Sequence, residues 1–266
     1  MAARKNRTKK KSKTPSYAAP ALEKGMDILE LLASEPSGLT VTDIASRLGR
    51  SMSEVFRMIV AMQKRQWLHK NPENDRLNVT FRVLELAHQG TSSQAITQAA
   101  TPVMHDLSSD IDQSCHLVVR SGGNGIVIHR QENPSPQGGF AMRLGAIVDL
   151  LTSCSGHVLL AFASPEELGA TLKRLPRPMR ELSTDLQATL ERVRRQGYEM
   201  QPSARTAGVT DISYPIYGFE GGALAALTVP YLMVIDNSLP TDLEQTRALL
   251  SRAARQISQA LGWRSR

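Results

Sequence analysis

Two groups of residues in this 266-residue chain could do chemistry. The first is Ser153-Cys154-Ser155-Gly156-His157, where hydroxyl and thiol nucleophiles stand beside a histidine. A nucleophile with a base three or four residues along a helix could attack an acyl group. No third residue is evident to orient the base, and the sequence lacks the G-x-S-x-G turn that exposes a nucleophile, which argues against a hydrolase. His105, His116, His129 and His157 are scattered without metal-ligand spacing, and so are Cys115 and Cys154. No metal and no cofactor are expected, and the histidines read as core or surface residues.

The second group is basic. Between Ser46 and Arg82, Arg47, Arg50, Arg57, Lys64, Arg65, Lys70, Arg76 and Arg82 face only Glu54, Glu73 and Asp75, a local excess of five positive charges. Residues 1–16 hold seven more cations and no acid, which equals the whole-chain excess of +7. That tail reads as a solvated, disordered arm able to attract phosphate without reading sequence. The local cluster therefore carries the argument for double-stranded DNA, and the elements that display it decide whether the argument holds.

Leu22, Met26, Leu29 and Ala33 recur at helical spacing until Pro36-Ser37-Gly38 breaks the pattern. Thr40 with Asp43 opens a short second helix carrying Val41, Ile44, Ala45 and Leu48, and Ser51 with Glu54 opens a third whose Val55, Ile59 and Met62 face inward. Ala45, Gly49 and Val55 supply what a helix-turn-helix needs: a small residue at the crossing, a permissive residue in the turn, and an apolar lock. An ordinary helical hairpin is the alternative. Trp67 to Lys70, a polar turn, and Arg76 to Val79 predict a β-hairpin wing. The start of the third helix then enters the major groove, making Met52, Ser53, Phe56 and Arg57 the candidates to reach bases. Arg57 can bind guanine with two hydrogen bonds or contact a phosphate. Arg50, Lys64, Lys70 and Arg76 suit phosphates, and Glu54 suits a helix cap better than cytosine readout.

Beyond the wing, Phe81 to Ala87 continue as a linker helix, and a second helical stretch runs through Leu107. Strands are expected at Cys115 to Val119, Ile126 to Arg130, Phe140 to Arg143, Tyr198 to Gln201, Ile212 to Ile216 and Ala223 to Val229. Helices fit at Ser155 to Phe162, Pro165 to Leu172, Thr184 to Arg195 and Asp242 to Leu261. This order predicts an α+β protein: a winged helix-turn-helix followed by an antiparallel sheet with helices packed on one side. The expected segments are the tail 1–16, the DNA-binding domain 17–80, the linker helix 81–98 and a larger domain 99–263. With 41% hydrophobic and 21% charged residues and no apolar run of membrane-spanning length, the protein reads as soluble and cytoplasmic, with no membrane partner.

The segments "ALEKGMDILELLAS", "LTVTDIASRLGRSMSEVFRMI" and "RVLELA" resemble, in order and separation, the N-terminal pattern of the IclR-type transcriptional regulators. "GIVIHRQENP", "MRLGAIVDLLTSCSGHVLLAF" and the stretch from Leu190 through Pro230 extend the resemblance over most of the chain. Gln66 stands where the family has a glycine, and Asp211 where a cysteine is frequent. The resemblance implies a GAF-like effector-binding domain, assembly as a homodimer or homotetramer, and a pocket at Ser153, Cys154, Ser155, Gly156, Asp211, Ser213 and Thr228. A helix start after Ser153 would offer unpaired N–H groups to the carboxylate of a small organic acid. Arg143 or Arg205 could add charge but each suits a surface position better, and Ser153 and Ser155 suit a simple helix cap equally well. The expected function is a sequence-specific regulator on a pseudo-palindromic operator, tuned by that effector. The alternatives are an architectural DNA-binding protein without an effector and, last, the hydrolase.

Overall fold

A computed structural model describes residues 19–90, 93–133, 140–175, 182–234 and 239–264; the basic tail lies outside them. The chain forms two compact units, Met1–Thr91 and Ser92–Arg266.

The first unit runs α1 (Pro20–Ala33), α2 (Val41–Arg47), α3 (Met52–Lys64), β1 (Leu68–Lys70), β2 (Leu77–Val79) and α4 (Arg82–Gly90). Thr40 and Asp43 cap α2 reciprocally, each side chain accepting the other's backbone N–H. Helix α2 ends as glycine permits: Gly49 takes φ +60°, its N–H donates to Ser46 O, and Arg50 N–H donates to Ala45 O. Helix α3 ends with the same pair of bonds, Gln66 N–H to Gln63 O and Trp67 N–H to Met62 O, but the left-handed residue is Gln66 at φ +61°. The wing strands pair antiparallel, and Leu39 joins Leu77 beside them. That approach requires Gly38: a Cβ there would lie 2.6 Å from Asn78 Oδ1 and 2.8 Å from Leu77 O. Ile28, Ile44, Ile59 and Leu77 are fully buried at the centre, each contributing about 1.5–3 kcal/mol of burial energy.

The second unit runs α5 (Ser93–Ile111), β3 (Cys115–Ser121), β4 (Asn124–Gln131), β5 (Ile147–Val148), α6 (Cys154–Ala161), α7 (Pro165–Arg174), α8 (Thr184–Gln196), β6 (Glu199–Pro202), β7 (Val209–Tyr217), β8 (Ala223–Leu232) and α9 (Leu243–Ala260). The strands form one antiparallel sheet in the order β5-β4-β3-β8-β7-β6. The expected linker segment 81–98 comprises α4 and the start of α5, with Thr91 and Ser92 outside the described residues.

Two expectations are corrected. Helices cover both faces of the sheet, not one. Ala225, Leu227, Val229 and Tyr231 of β8 share a core with α5 and α9, while Ala226, Val118 and Val127 share the opposite core with α6 and α8. Central strands apolar on both faces need cover on both. The strand expected at Phe140 to Arg143 does not form. Gly145 (φ +74°) turns the chain there, donating to Val127 O at 2.8 Å, and only Ile147–Val148 pair with β4.

Candidate functional site

In the first unit the exposed face of α3 presents Met52, Ser53, Phe56, Arg57, Val60 and Lys64. Phe56 is 56% and Met52 48% exposed, large apolar side chains left in water at the start of a helix. Arg57 reaches back through Nε to Ser53 O at 3.3 Å, a bond that does not use its terminal guanidinium nitrogens. Glu54 does not join this face chemically. Its carboxylate accepts the N–H and O–H of Ser51 at 3.2 and 2.9 Å and pairs with Lys24 at 2.5 Å. The Lys24 ammonium and the Ser51 bonds hold its carboxyl down to about 2.

The other cations expected at phosphates have partners inside the protein. Arg50 pairs with Asp27, Lys70 pairs with Asp75 across the wing turn, and Arg76 donates to Gly38 O at 2.7 Å.

In the second unit a cavity of about 220 Å³ opens between the first turn of α6 and the sheet. Ser153, Cys154, Ser155, Asp211 and Thr228 line it, together with His116, Phe140, Met142, Val148, Asp149, Thr152, Ser203, Ala204 and Arg205. Gly156 and Ser213 are not on its wall, and Arg143 is not either. Gly156 is spent on packing, since a Cβ there would stand 2.5 Å from Leu150 Cα and O. Ser213 lies below the surface, its hydroxyl 2.7 Å from that of Thr228.

Strand register makes the cavity floor polar. His116 pairs with Thr228, Thr228 with Ser213, and Ser213 with Glu199, so these four stand side by side on the face beneath α6. The alternate positions Cys115, Leu117, Ile212, Tyr214, Leu227 and Val229 go to the α5 and α9 core. The one visible cue in the sequence was a histidine interrupting the run Cys115 to Val119, which periodicity alone does not mark as a cavity residue. The His116 imidazole is buried, its Nδ1 has no hydrogen-bond partner among the described residues, and burial pushes it down to about 4, so it is neutral. Burial raises the Asp211 carboxyl against a hydrogen bond from Ser203.

At the α6 N-terminus, the Ser153 hydroxyl donates to Asp149 O at 2.5 Å and accepts the Gly156 N–H at 3.0 Å. Asp149 Oδ1 accepts the N–H groups of Leu151 and Thr152, shaping the turn that aims the helix start at the cavity. The nucleophile and histidine cluster is not assembled for attack. Cys154 Sγ donates to Glu199 O and Asp211 O, both at 3.3 Å, and burial, with the charges of Asp211 and Glu199, raises its thiol well above the ordinary range. His157 faces Glu199 Oε2 at 3.3 Å through Nδ1 and Leu151 O at 2.9 Å through Nε2. Glu199 is fully buried. Burial alone would raise its carboxyl, but the bonds from His157 and Arg192 hold it below the ordinary value. Among the described residues no cluster of side chains could hold a metal ion, and no helix is long and apolar enough to cross a membrane.

The family profile described as Bacterial transcriptional regulator IclR C-terminal matches residues 88–259, and the profile of the IclR helix-turn-helix domain matches residues 21–72. This chain belongs to the IclR family. It is accordingly a transcription regulator with an N-terminal helix-turn-helix and a C-terminal effector-binding domain. Among IclR-family relatives, it is 26% identical over 249 residues to the HTH-type transcriptional regulator XynR of Escherichia coli K12, covering 91% of this chain and 97% of that protein. It is 29% identical to the regulator BhcR of Paracoccus denitrificans, over 82% of this chain and 80% of BhcR. Among solved structures, it resembles an IclR homolog from Microbacterium hydrocarbonoxydans, crystallised with 4-hydroxybenzoate, with TM-score 0.73 and 26% identity, covering 91% of this chain and 98% of that one. The fold is shared with Pseudomonas aeruginosa HmgR at TM-score 0.71 and 21% identity, over 91% of this chain and 99% of HmgR.

Proposed function

We propose that this IclR-family regulator binds a pseudo-palindromic operator through α3 and a small organic acid in the cavity under α6, with no catalytic step. The observation that carries the effector half is the cavity itself, where an open helix N-terminus meets a polar sheet floor. Ser153, Cys154, Ser155, Asp211 and Thr228 line that site, with Gly156 and Ser213 supporting it from behind. The 4-hydroxybenzoate bound by the Microbacterium homolog is an acid of suitable size, which supports the class.

On the DNA side, Arg57 reads a base edge, Met52, Ser53 and Phe56 pack against the major groove, and Lys64 contacts a phosphate. Two half-sites require two copies of α3, hence a homodimer or homotetramer in the cytoplasm. The 60% exposed Leu22 and 53% exposed Met26 on α1 support burial against another copy. Effector binding favours one spacing of the two recognition helices over another, and shifts occupancy by its differential affinity for the two states.

Footprinting of the full chain on DNA flanking its own gene, with excess random competitor, tests this reading. Two protected half-sites about one helical turn apart, resistant to competitor, are expected. Protection that vanishes with competitor would leave an architectural protein and overturn the operator.

A further inference from the structure

We propose that the effector is an α-amino acid whose side chain ends in a hydrogen-bonding group: its carboxylate on the N–H groups of Cys154 and Ser155, its ammonium on Asp211, its side-chain tip on His116. This rests on the effector cavity proposed above and names the chemistry that fills it.

Three observations meet there. At the start of α6, the Gly156 N–H is taken by Ser153 Oγ, while the N–H groups of Cys154 and Ser155 have no partner among the described residues. That is a place for an anion. Beside it stands Asp211, whose backbone carbonyl accepts the Cys154 thiol at 3.3 Å and whose side chain lines the same cavity. Among the described residues Asp211 forms no ion pair, and Ser203 is the neighbour that works against the effect of burial on its carboxyl. Arg205 is also on the wall but is exposed, where water and salt screen its charge.

A plain carboxylic acid seated on α6 would place its negative charge next to an uncompensated carboxylate. A ligand with an ammonium one carbon from its carboxylate satisfies both groups at once, and an α-amino acid has that spacing. A 2-hydroxy acid would donate one hydrogen bond to Asp211 but leave the two like charges facing each other.

The third observation sits at the far end of the floor. His116 is two strands from Asp211 and offset along them by two residues, roughly 12 Å away between backbones by ordinary strand geometry. Its Nδ1 is buried and unpartnered, and the ring is neutral. A buried polar atom left without a partner is costly, so a hydrogen-bonding group from the ligand is the natural occupant. Between the two ends, Phe140, Met142 and Val148 offer an apolar wall for the methylene stem of a side chain.

The test is calorimetric titration of the full-length protein with the twenty proteinogenic amino acids. Each responder is followed by its 2-hydroxy and deamino analogues, on wild type, Asp211→Asn and Asp211→Ser. At least one polar-tipped amino acid is expected to bind tenfold or more tightly than either analogue. Both variants should lose that preference, while the deamino acid binds them as well as or better than wild type. Tighter or equal binding of the deamino acid to wild type overturns the proposal while sparing the cavity. Saturable heat from no amino acid overturns this proposal and leaves the cavity to be tested with plain organic acids.

Discussion

Arg50 Nη2 lies 2.5 Å from Asp27 Oδ2, an ion pair that ties the turn after α2 to the middle of α1. One end of the guanidinium is thus engaged within the protein at the place where sequence reasoning expected a phosphate contact, while its Nε has no hydrogen-bond partner among the described residues. Arg50→Ala is predicted to lower the stability of the first unit by up to about 1 kcal/mol in urea unfolding. The slope of log affinity against log salt should change by well under the ~0.9 that loss of one phosphate contact produces. A full one-contact change in slope with unaltered stability would return Arg50 to the phosphate backbone.

Arg57 sits on the exposed face with its terminal nitrogens unclaimed by Ser53. Arg57→Ala is expected to weaken operator binding by about 1–3 kcal/mol and binding to random duplex far less, as measured by competition gel shift. Equal losses on both would reassign Arg57 to a phosphate.

Gln66 closes α3 in a left-handed conformation at φ +61°, the one that Gly49 provides without strain at the end of α2. Gln66→Gly is predicted to stabilise the protein by about 0.5–1 kcal/mol, since relief of the left-handed strain exceeds the extra freedom given to the unfolded chain. Thermal unfolding of the two forms checks this, and a lower midpoint for the glycine variant would contradict it.

Glu54 is held at about 2, below its ordinary 4.5, first by Lys24 and then by Ser51. The folded state therefore binds its proton less readily than the unfolded state. Its contribution is fully present above pH 4.5 and is lost as pH falls toward 2. Glu54→Gln should lower stability at pH 6 and flatten the decline between pH 4.5 and 2. An unchanged acid limb would mean that Glu54 is not engaged in solution.

Ser155 is buried on the cavity wall near the start of α6. Ser155→Leu is expected to abolish the response of operator binding to effector while affinity without effector stays within about threefold, a difference of under 0.7 kcal/mol. A retained response in a correctly folded variant, judged by circular dichroism, would place the effector elsewhere.

Much of the first unit was legible because its signals are local. Thr40 with Asp43, Ser51 with Glu54, and Gly49 each fix a helix end within four residues, and the structure forms each end there. The cavity was only half legible. The turn before α6 and the strand carrying Asp211 were visible as segments, but His116, Met142 and Ser203 reach the site from separate parts of the chain through sheet register and the turn at Gly145. Gly156 and Ser213 have residue types that suit a pocket, yet the structure uses them for a close backbone crossing and a buried hydroxyl pair. The strand expected at Phe140 to Arg143 had the right residue types, but Gly145 redirects the backbone before a ladder can form.

The most direct test of the central claim is a quantitative footprint of the full chain on its operator, repeated across a panel of small carboxylic acids that includes the amino acids. Paired half-sites are expected whose half-saturation moves at least tenfold with one acid in wild type, a shift of about 1.4 kcal/mol, and does not move in Ser155→Leu. Protection that no acid moves, or that moves equally in both proteins, would contradict effector control through the cavity under α6.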